Sequence, residues 1–340
     1  MQGIAISVAI VADGVHGLID PAVASSAEQQ RVRLGNGDAP GLVQAAIDAD
    51  RAGVDTAWLA VGGPAPDPFA VFAAVVDHAP RINFGTAIIP TFPRHPLALV
   101  QGALALDQLV PGRFRLGVGP SHKPAMEDTW GLTFDRPLTH LREYLTILRD
   151  ILKTGRVDFD GEILHAHAQL PAPTQVDVVA SALRPRAFRL LGELADGVLT
   201  NMCPPQYLRD TAVPAIAAGA KQAGRTPPPL IAKIPIVVCE DRKLVRTTAR
   251  RQIGFYQRLP FYRQMQIDAG FADAASDVFT DTMSDALVIS GSEDEVAQRI
   301  AALRDFGVDE VYAAILRVGD NPDPTTHRTV ELLGALNQAD

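Results

Sequence analysis

The sequence predicts an α/β fold of the (β/α)8 kind, a TIM barrel enlarged by insertion segments. Short apolar, β-rich runs alternate with longer helical patterns, and eight such runs occur along the 340 residues. Near-continuous apolar strands are expected where helices cover a parallel sheet. The first run is not followed by the GxGxxG turn of a dinucleotide-binding open sheet, the main structural rival.

The first strand is expected at 3–11. A helix follows at 40–52, with Leu42, Ala45, Ala46 and Ala49 on one face and Gly53 just past its end. Strand 54–60, helix 68–78, strand 81–89 and helix 96–110 come next. Pro96 suits a first helical turn, because the N–H it lacks would be unpaired there. Pro111-Gly112 turns the chain into strand 113–118. Then come helix 135–154, strand 175–180, helix 185–195, strand 197–200, helix 205–223 and strand 230–239. Helix 292–306 and strand 310–315 complete the set.

Three segments exceed a minimal barrel. Residues 12–39 form a long loop, 156–173 carry the hairpin signal Asp160-Gly161, and 240–286 form a mostly helical insertion. Loops after strand C-termini surround a barrel's active site, so the first and third are candidate walls or lids. Nothing divides the chain, and a single domain over 1–340 is expected.

Composition narrows the function. Apolar residues make up 47 % and charged residues 21 %, enough for a large core. The net charge of −8, with no run of Lys or Arg, argues against a nucleic-acid partner. The two cysteines, Cys203 and Cys239, are far apart, which speaks against a disulfide scaffold or zinc site and fits a reducing cytoplasm. The apolar start has no basic leader, and no stretch approaches a membrane span of ~18 residues. The most apolar window, 230–239, contains Lys233 and Pro235.

Several stretches, in order, carry a family resemblance. They are Thr91-Phe92-Pro93-Arg94-His95-Pro96, Gly112-Arg113-Phe114, Leu116-Gly117-Val118-Gly119, Asp135-Arg136-Pro137 and Glu143-Tyr144-Leu145. Further along stand Ser181-Ala182-Leu183-Arg184-Pro185-Arg186, Leu191-Gly192-Glu193-Leu194-Ala195-Asp196-Gly197, Ile289-Ser290-Gly291-Ser292 and Gly307-Val308-Asp309-Glu310. Together they resemble the luciferase-like monooxygenase superfamily, in particular its branch using coenzyme F420. The resemblance implies a small-molecule oxidoreductase, with F420 as cofactor and FMN as the alternative, working as a cytoplasmic homodimer. Helical segments 69–76 and 97–109 could supply the dimer interface or simply cover the barrel.

By that resemblance the turn from Ser181 holds the cofactor phosphate. Ala182, Leu183 and Arg184 would donate N–H groups, Arg184 or Arg186 would add charge, and Thr200 and Asn201 would lie close by. A helix start favours an anion on physical grounds as well; the plain alternative is a helix start with two solvated arginines. A bulge with a non-prolyl cis peptide is implied at Thr86, Ala87 or Ile88. Gly117 and Gly119, with Pro120 and Ser121 beyond them, stand where a flat ring could approach the backbone, or are ordinary strand-end residues.

The implied reaction is hydride transfer, with the ring chemistry supplied by the cofactor. A reductase of C=C or C=N bonds also needs a proton donor, for which His122 is the first candidate and His95 the second. His95 could equally hold its loop by hydrogen bonding. His165 and His167 alternate on a short strand without enough further ligands for a metal. Alcohol-oxidising relatives carry an Asp-His pair after the second strand, whereas this chain has Val61-Gly62-Gly63-Pro64. That departure favours a reductase. An FMN-dependent monooxygenase and a flavin-binding protein without catalysis are the alternatives.

Overall fold

The computed structural model describes residues 4–9, 38–61, 63, 65–276, 278–319 and 323–338. Eight parallel strands close into a ring: β1 (Ala5–Ala9), β2 (Thr56–Leu59), β3 (Asn83–Thr86), β4 (Phe114–Gly119), β5 (Asp177–Ser181), β6 (Gly197–Asn201), β7 (Leu230–Val238) and β8 (Glu310–Ile315). Each pairs with the next, and β1 returns to β8 with Ser7 opposite Tyr312. The predicted barrel is therefore present, with all eight strands in the expected order. Short segments Ile89–Pro90 and Ile289–Gly291 pair alongside the C-terminal ends of β4 and β7, and the hairpin predicted from Asp160-Gly161 pairs Arg156–Asp160 with His165–Gln169.

The outer helices begin and end where local chemistry requires. In α1 (Ala39–Ala52), Asp38 accepts from Gly41 N at 2.7 Å and Gly53 ends the helix at φ 84°. Asp67 caps α2 (Pro68–Val75) in the same way, and His95 caps α3 (Pro96–Leu109) through its ring. Then come α4 (Pro137–Thr154), α5 (Pro185–Leu194) and α6 (Val213–Gln222). The insertion holds α7 (Arg242–Ile253), α8 (Pro260–Asp268) and α9 (Asp281–Leu287). A Ser292/Glu295 capping box opens α10 (Glu293–Ala302).

Some expectations are corrected. Helix 205–223 is not continuous, because a π-helical turn, Leu208–Ala212, precedes Pro214. Proline lacks an N–H and its ring crowds the carbonyl four residues back, so the regular ladder cannot run through. Helix 135–154 starts two residues late, at Pro137, after Arg136 takes a left-handed φ of 40°. A last helix, α11 (Asp323–Gln338), lies beyond the final expected strand. Its Asn337 accepts from Ile6 N and donates to Gly53 O, tying β1 and the end of α1 together. The long loop expected at 12–39 lies outside the described residues except for Asp38 and Ala39. No helix among the described residues is long and apolar enough to cross a membrane.

The main core lies between strands and helices, and a smaller cluster of Trp58, Ala87, Val179, Leu199, Ile231 and Tyr312 fills the barrel. Below it, near the strand N-termini, sits a polar floor. Arg115 makes two bonds to Glu310 at 2.6 and 3.0 Å and one to Thr56 Oγ1 at 2.8 Å. Trp58 Nε1 donates to Ser7 Oγ and Glu310 Oε1, and the Arg115 guanidinium lies over the indole at 4.4 Å. Every charge there has a partner, as a buried polar group requires.

Candidate active site at the C-terminal mouth of the barrel

The predicted bulge is present. The Ala87-Ile88 peptide is cis, and Ala87 joins the cluster inside the barrel. Here β3 leaves the ladder, and Thr86 repairs it: its Oγ1 donates to Gly117 O and accepts from Gly117 N, each at 2.8 Å. A Cβ on Gly117 would stand 1.6 Å from Thr86 O, and one on Gly119 2.2 Å from Ser181 Oγ. The two glycines are therefore needed by the protein's own packing, which is the plainer of the two sequence readings. Thr86 likewise serves the backbone, leaving Ala87 and Ile88 as the wall of the mouth. Ser121 follows Pro120 with φ 62° and Met202 follows Asn201 with φ 55°. Left-handed backbone at non-glycine residues is costly and tends to cluster at functional sites; of the three instances among the described residues, two stand at strand C-termini.

The turn after β5 holds only part of its expected role. Ala182 N donates to Leu199 O at 3.0 Å, so this N–H is not free for a phosphate. Arg184 is paired with Asp268, the last residue of α8, at 2.5 Å. Leu183 O accepts from Tyr207 Oη. No side chain caps α5, so the first-turn N–H groups of Arg186 and Ala187 keep their donor direction. Arg186 itself is exposed.

Strand alternation sorts the end of β6. Asn201 follows Leu199 into the barrel, while Thr200 follows Val198 onto the outer face. Asn201 Nδ2 donates to Tyr262 Oη at 2.5 Å, which pins α8 of the insertion over the mouth. Thr200 Oγ1 and Asn201 Oδ1 are both buried without a hydrogen-bond partner. The insertion is thus a wall of the site, as expected from its position after β7.

The two histidines separate. His122 is half-buried with its ring 5.6 Å from that of Tyr262, and burial lowers its pKa to about 4. It is a neutral imidazole at neutral pH, suited to orienting a group rather than delivering an imidazolium proton. His95 is exposed, and both ring nitrogens are engaged: Nδ1 accepts from Leu97 N at 3.3 Å and Nε2 meets His165 O at 3.0 Å. It holds the loop to the hairpin, which corrects the expectation of a proton donor. His165 and His167 pair with Asp160 and Asp158, and no metal-binding group occurs among the described residues.

Sequence reasoning missed the rest of the mouth. Lys233 stands on β7 opposite Asn201 of β6 and Tyr312 of β8, facing inward two residues after Ile231. Tyr256, 4.6 Å from Tyr262 between ring centres, adds a second phenol from the insertion. The only signal was a lysine in the most apolar window.

The luciferase-like monooxygenase family model matches residues 19–310. A 5,10-methylenetetrahydromethanopterin reductase of Methanolobus tindarius is 27 % identical over 306 residues, covering 84 % of this chain and 92 % of the relative. An F420-dependent secondary alcohol dehydrogenase, solved with an F420-acetone adduct, superposes with a TM-score of 0.78 at 15 % identity, over 99 % of both chains. The oxygenating constituent of a Pseudomonas putida diketocamphane monooxygenase, solved with FMN, gives 0.69 at 18 % identity over 97 % of this chain and 96 % of the other. These two structures agree with the fold.

Proposed function

Because the chain belongs to the luciferase-like monooxygenase family, we propose that it moves a hydride between coenzyme F420 and a small organic substrate, as a reductase of C=C or C=N bonds. The observation that carries this reading is the chemistry of the mouth. Tyr262, Tyr312, His122 and Lys233 bring hydrogen-bonding groups, among them the Tyr262 phenol as proton donor, to the mouth, while β2 leads into Val61-Gly62-Gly63-Pro64, which offers no acid–base pair.

The residues fit a phosphate-bearing flavin-type group. The uncapped start of α5 and the orphaned Thr200 hydroxyl suit the phosphate, and the Ala87-Ile88 bulge with Asn201 Oδ1 suits a flat ring bearing an N–H. When bound, the deazaflavin supplies the hydride. The chain's own residues shape what surrounds it. Asn201 donates to Tyr262 Oη, so that phenol's proton is left to point into the mouth. Burial holds the Tyr262 pKa well above its usual value, keeping the proton in place until a product atom takes it. His122 orients the substrate as a neutral donor or acceptor. The insertion and the Ala87 wall keep water out.

The test is a parallel fluorescence titration of the protein with oxidised F420 and with FMN, followed by assays of reduced F420 against 2-cyclohexen-1-one and cyclic imines. Binding of F420 with oxidation of its reduced form is expected. Preference for FMN with oxygen uptake would replace this reading by a monooxygenase, which the FMN-bound structural relative favours. Binding of neither cofactor would refute both. A homodimer through 69–76 and 97–109 belongs to the same proposal, and light scattering tests it.

A further inference from the structure

Lys233 is an unusual residue for its place. It interrupts the apolar run of β7, and its ammonium makes no hydrogen bond or ion pair among the described residues. It stands over the face of Tyr312, 5.2 Å from Nζ to the ring centre. The Tyr312 hydroxyl is itself buried with no hydrogen-bond partner. Burial lowers the Lys233 pKa to about 8, so it still carries its charge at neutral pH. A half-buried ammonium beside a buried, orphaned phenol sets two groups without a protein partner side by side on paired strands. Buried polar groups in native proteins are paired, so the unpartnered Tyr312 hydroxyl points to a ligand that the neighbouring ammonium would meet as well. Arg115, also inside the barrel, has its own glutamate, and that contrast marks Lys233 as different in kind.

We propose that Lys233 and Tyr312 form a carboxylate-reading subsite, and that the substrate is a planar, conjugated carboxylic acid. Two donors on neighbouring strands match the two oxygens of one carboxylate. The rings of Tyr256 and Tyr262 supply flat apolar surface for a conjugated chain or ring beside it. The subsite rests on the reductase reading for the reaction, but its selectivity can be measured without turnover.

The experiment uses the full chain and three acid/amide pairs as probes: crotonate and crotonamide, benzoate and benzamide, trans-cinnamate and cinnamamide. Affinities are measured calorimetrically for the wild type, Lys233→Met and Lys233→Arg, with F420 affinity in parallel. The wild type should bind at least one acid about tenfold more tightly than its amide, the size expected for a charge-assisted hydrogen bond. Lys233→Met should lose that preference and keep F420 affinity, while Lys233→Arg retains part of the preference. Equal binding of acids and amides by the wild type overturns the proposal, as does a Lys233→Met protein that still prefers acids. Loss of F420 affinity in Lys233→Met, with no acid preference in the wild type, would assign the ammonium to the cofactor instead and also overturn it. Failure of F420 to bind any protein while the acid preference persists would sink the reductase reading and leave the subsite standing. If Lys233→Met does not fold, Lys233→Gln and Lys233→Arg carry the same comparison.

Discussion

Replacing Thr86 by valine tests how the bulge is held. The two side chains have nearly the same shape, so the change removes a hydroxyl and little else. In the wild type that hydroxyl satisfies both the N–H and the C=O of Gly117 at 2.8 Å, in a fully buried position. Valine leaves a donor and an acceptor unpaired. At about 1–3 kcal/mol for each group, the loss is roughly 2–6 kcal/mol. With an unfolding entropy of about 2.1 cal/mol/K per residue, a chain of this size has ~0.7 kcal/mol/K, so the thermal midpoint should fall by roughly 3–8 °C. Thr86→Ser keeps the hydroxyl and should recover most of the difference. Differential scanning calorimetry of the three proteins decides the matter. A Thr86→Val protein within 1 °C of wild type would show, at about the same conversion, that the Gly117 groups find other partners. A serine variant as damaged as the valine one would move the effect from hydrogen bonding to packing.

Three other outcomes follow from the same geometry. Glu310→Ala should destabilise by about 3–5 kcal/mol, since it strands the Arg115 charge in the barrel floor, and adding Arg115→Met should recover much of the loss; denaturation of the single and double variants checks this. His122 is depressed in the folded state, so the unfolded chain takes up its proton first, and stability attributable to this residue falls as pH drops from about 6.5 towards 4. Thermal midpoints of His122→Gln should therefore decline less than wild type across that window, and equal slopes would contradict the burial argument. Arg184→Gln should change stability by less than about 1 kcal/mol, because its pair with Asp268 is partly exposed, yet weaken F420 binding several-fold. Asp268→Asn should leave that affinity unchanged or tighter; a loss equal to that of Arg184→Gln would mean that the ion pair itself, rather than a released guanidinium, shapes the site.

The barrel was legible because its signals are local. Apolar runs, Pro68 and Pro96 at helix starts and Gly53 past a helix end act within a few residues of themselves. The bulge was legible only through resemblance, since nothing in Thr86-Ala87-Ile88 as a string announces it. What escaped depends on register. Arg115 and Glu310 are 195 residues apart and meet only because β4 and β8 face across the barrel. Lys233 was visible as a charge in an apolar strand, but Tyr312 and Asn201 become its neighbours through strand pairing alone. Ala182 shows the opposite limit: its position at a helix start suggested a free N–H, and the neighbouring strand consumes it. For His95, the loop-holding alternative proved to describe the molecule, because a histidine just before a helix-starting proline is placed to cap.

The pairing of β1 with β8 sets Ser7 beside Tyr312, and Ser7 Oγ donates to Val311 O 304 positions further on. On the ribosome, at roughly 5–20 residues per second, the first strand therefore waits about 15–60 s for its second neighbour. During that interval its apolar edge and the half-built sheet beside it have no cover, and loop closure of that span is among the slowest steps a chain can face. The protein's yield on expression should accordingly depend on chaperone supply and on growth temperature more than its final stability would suggest.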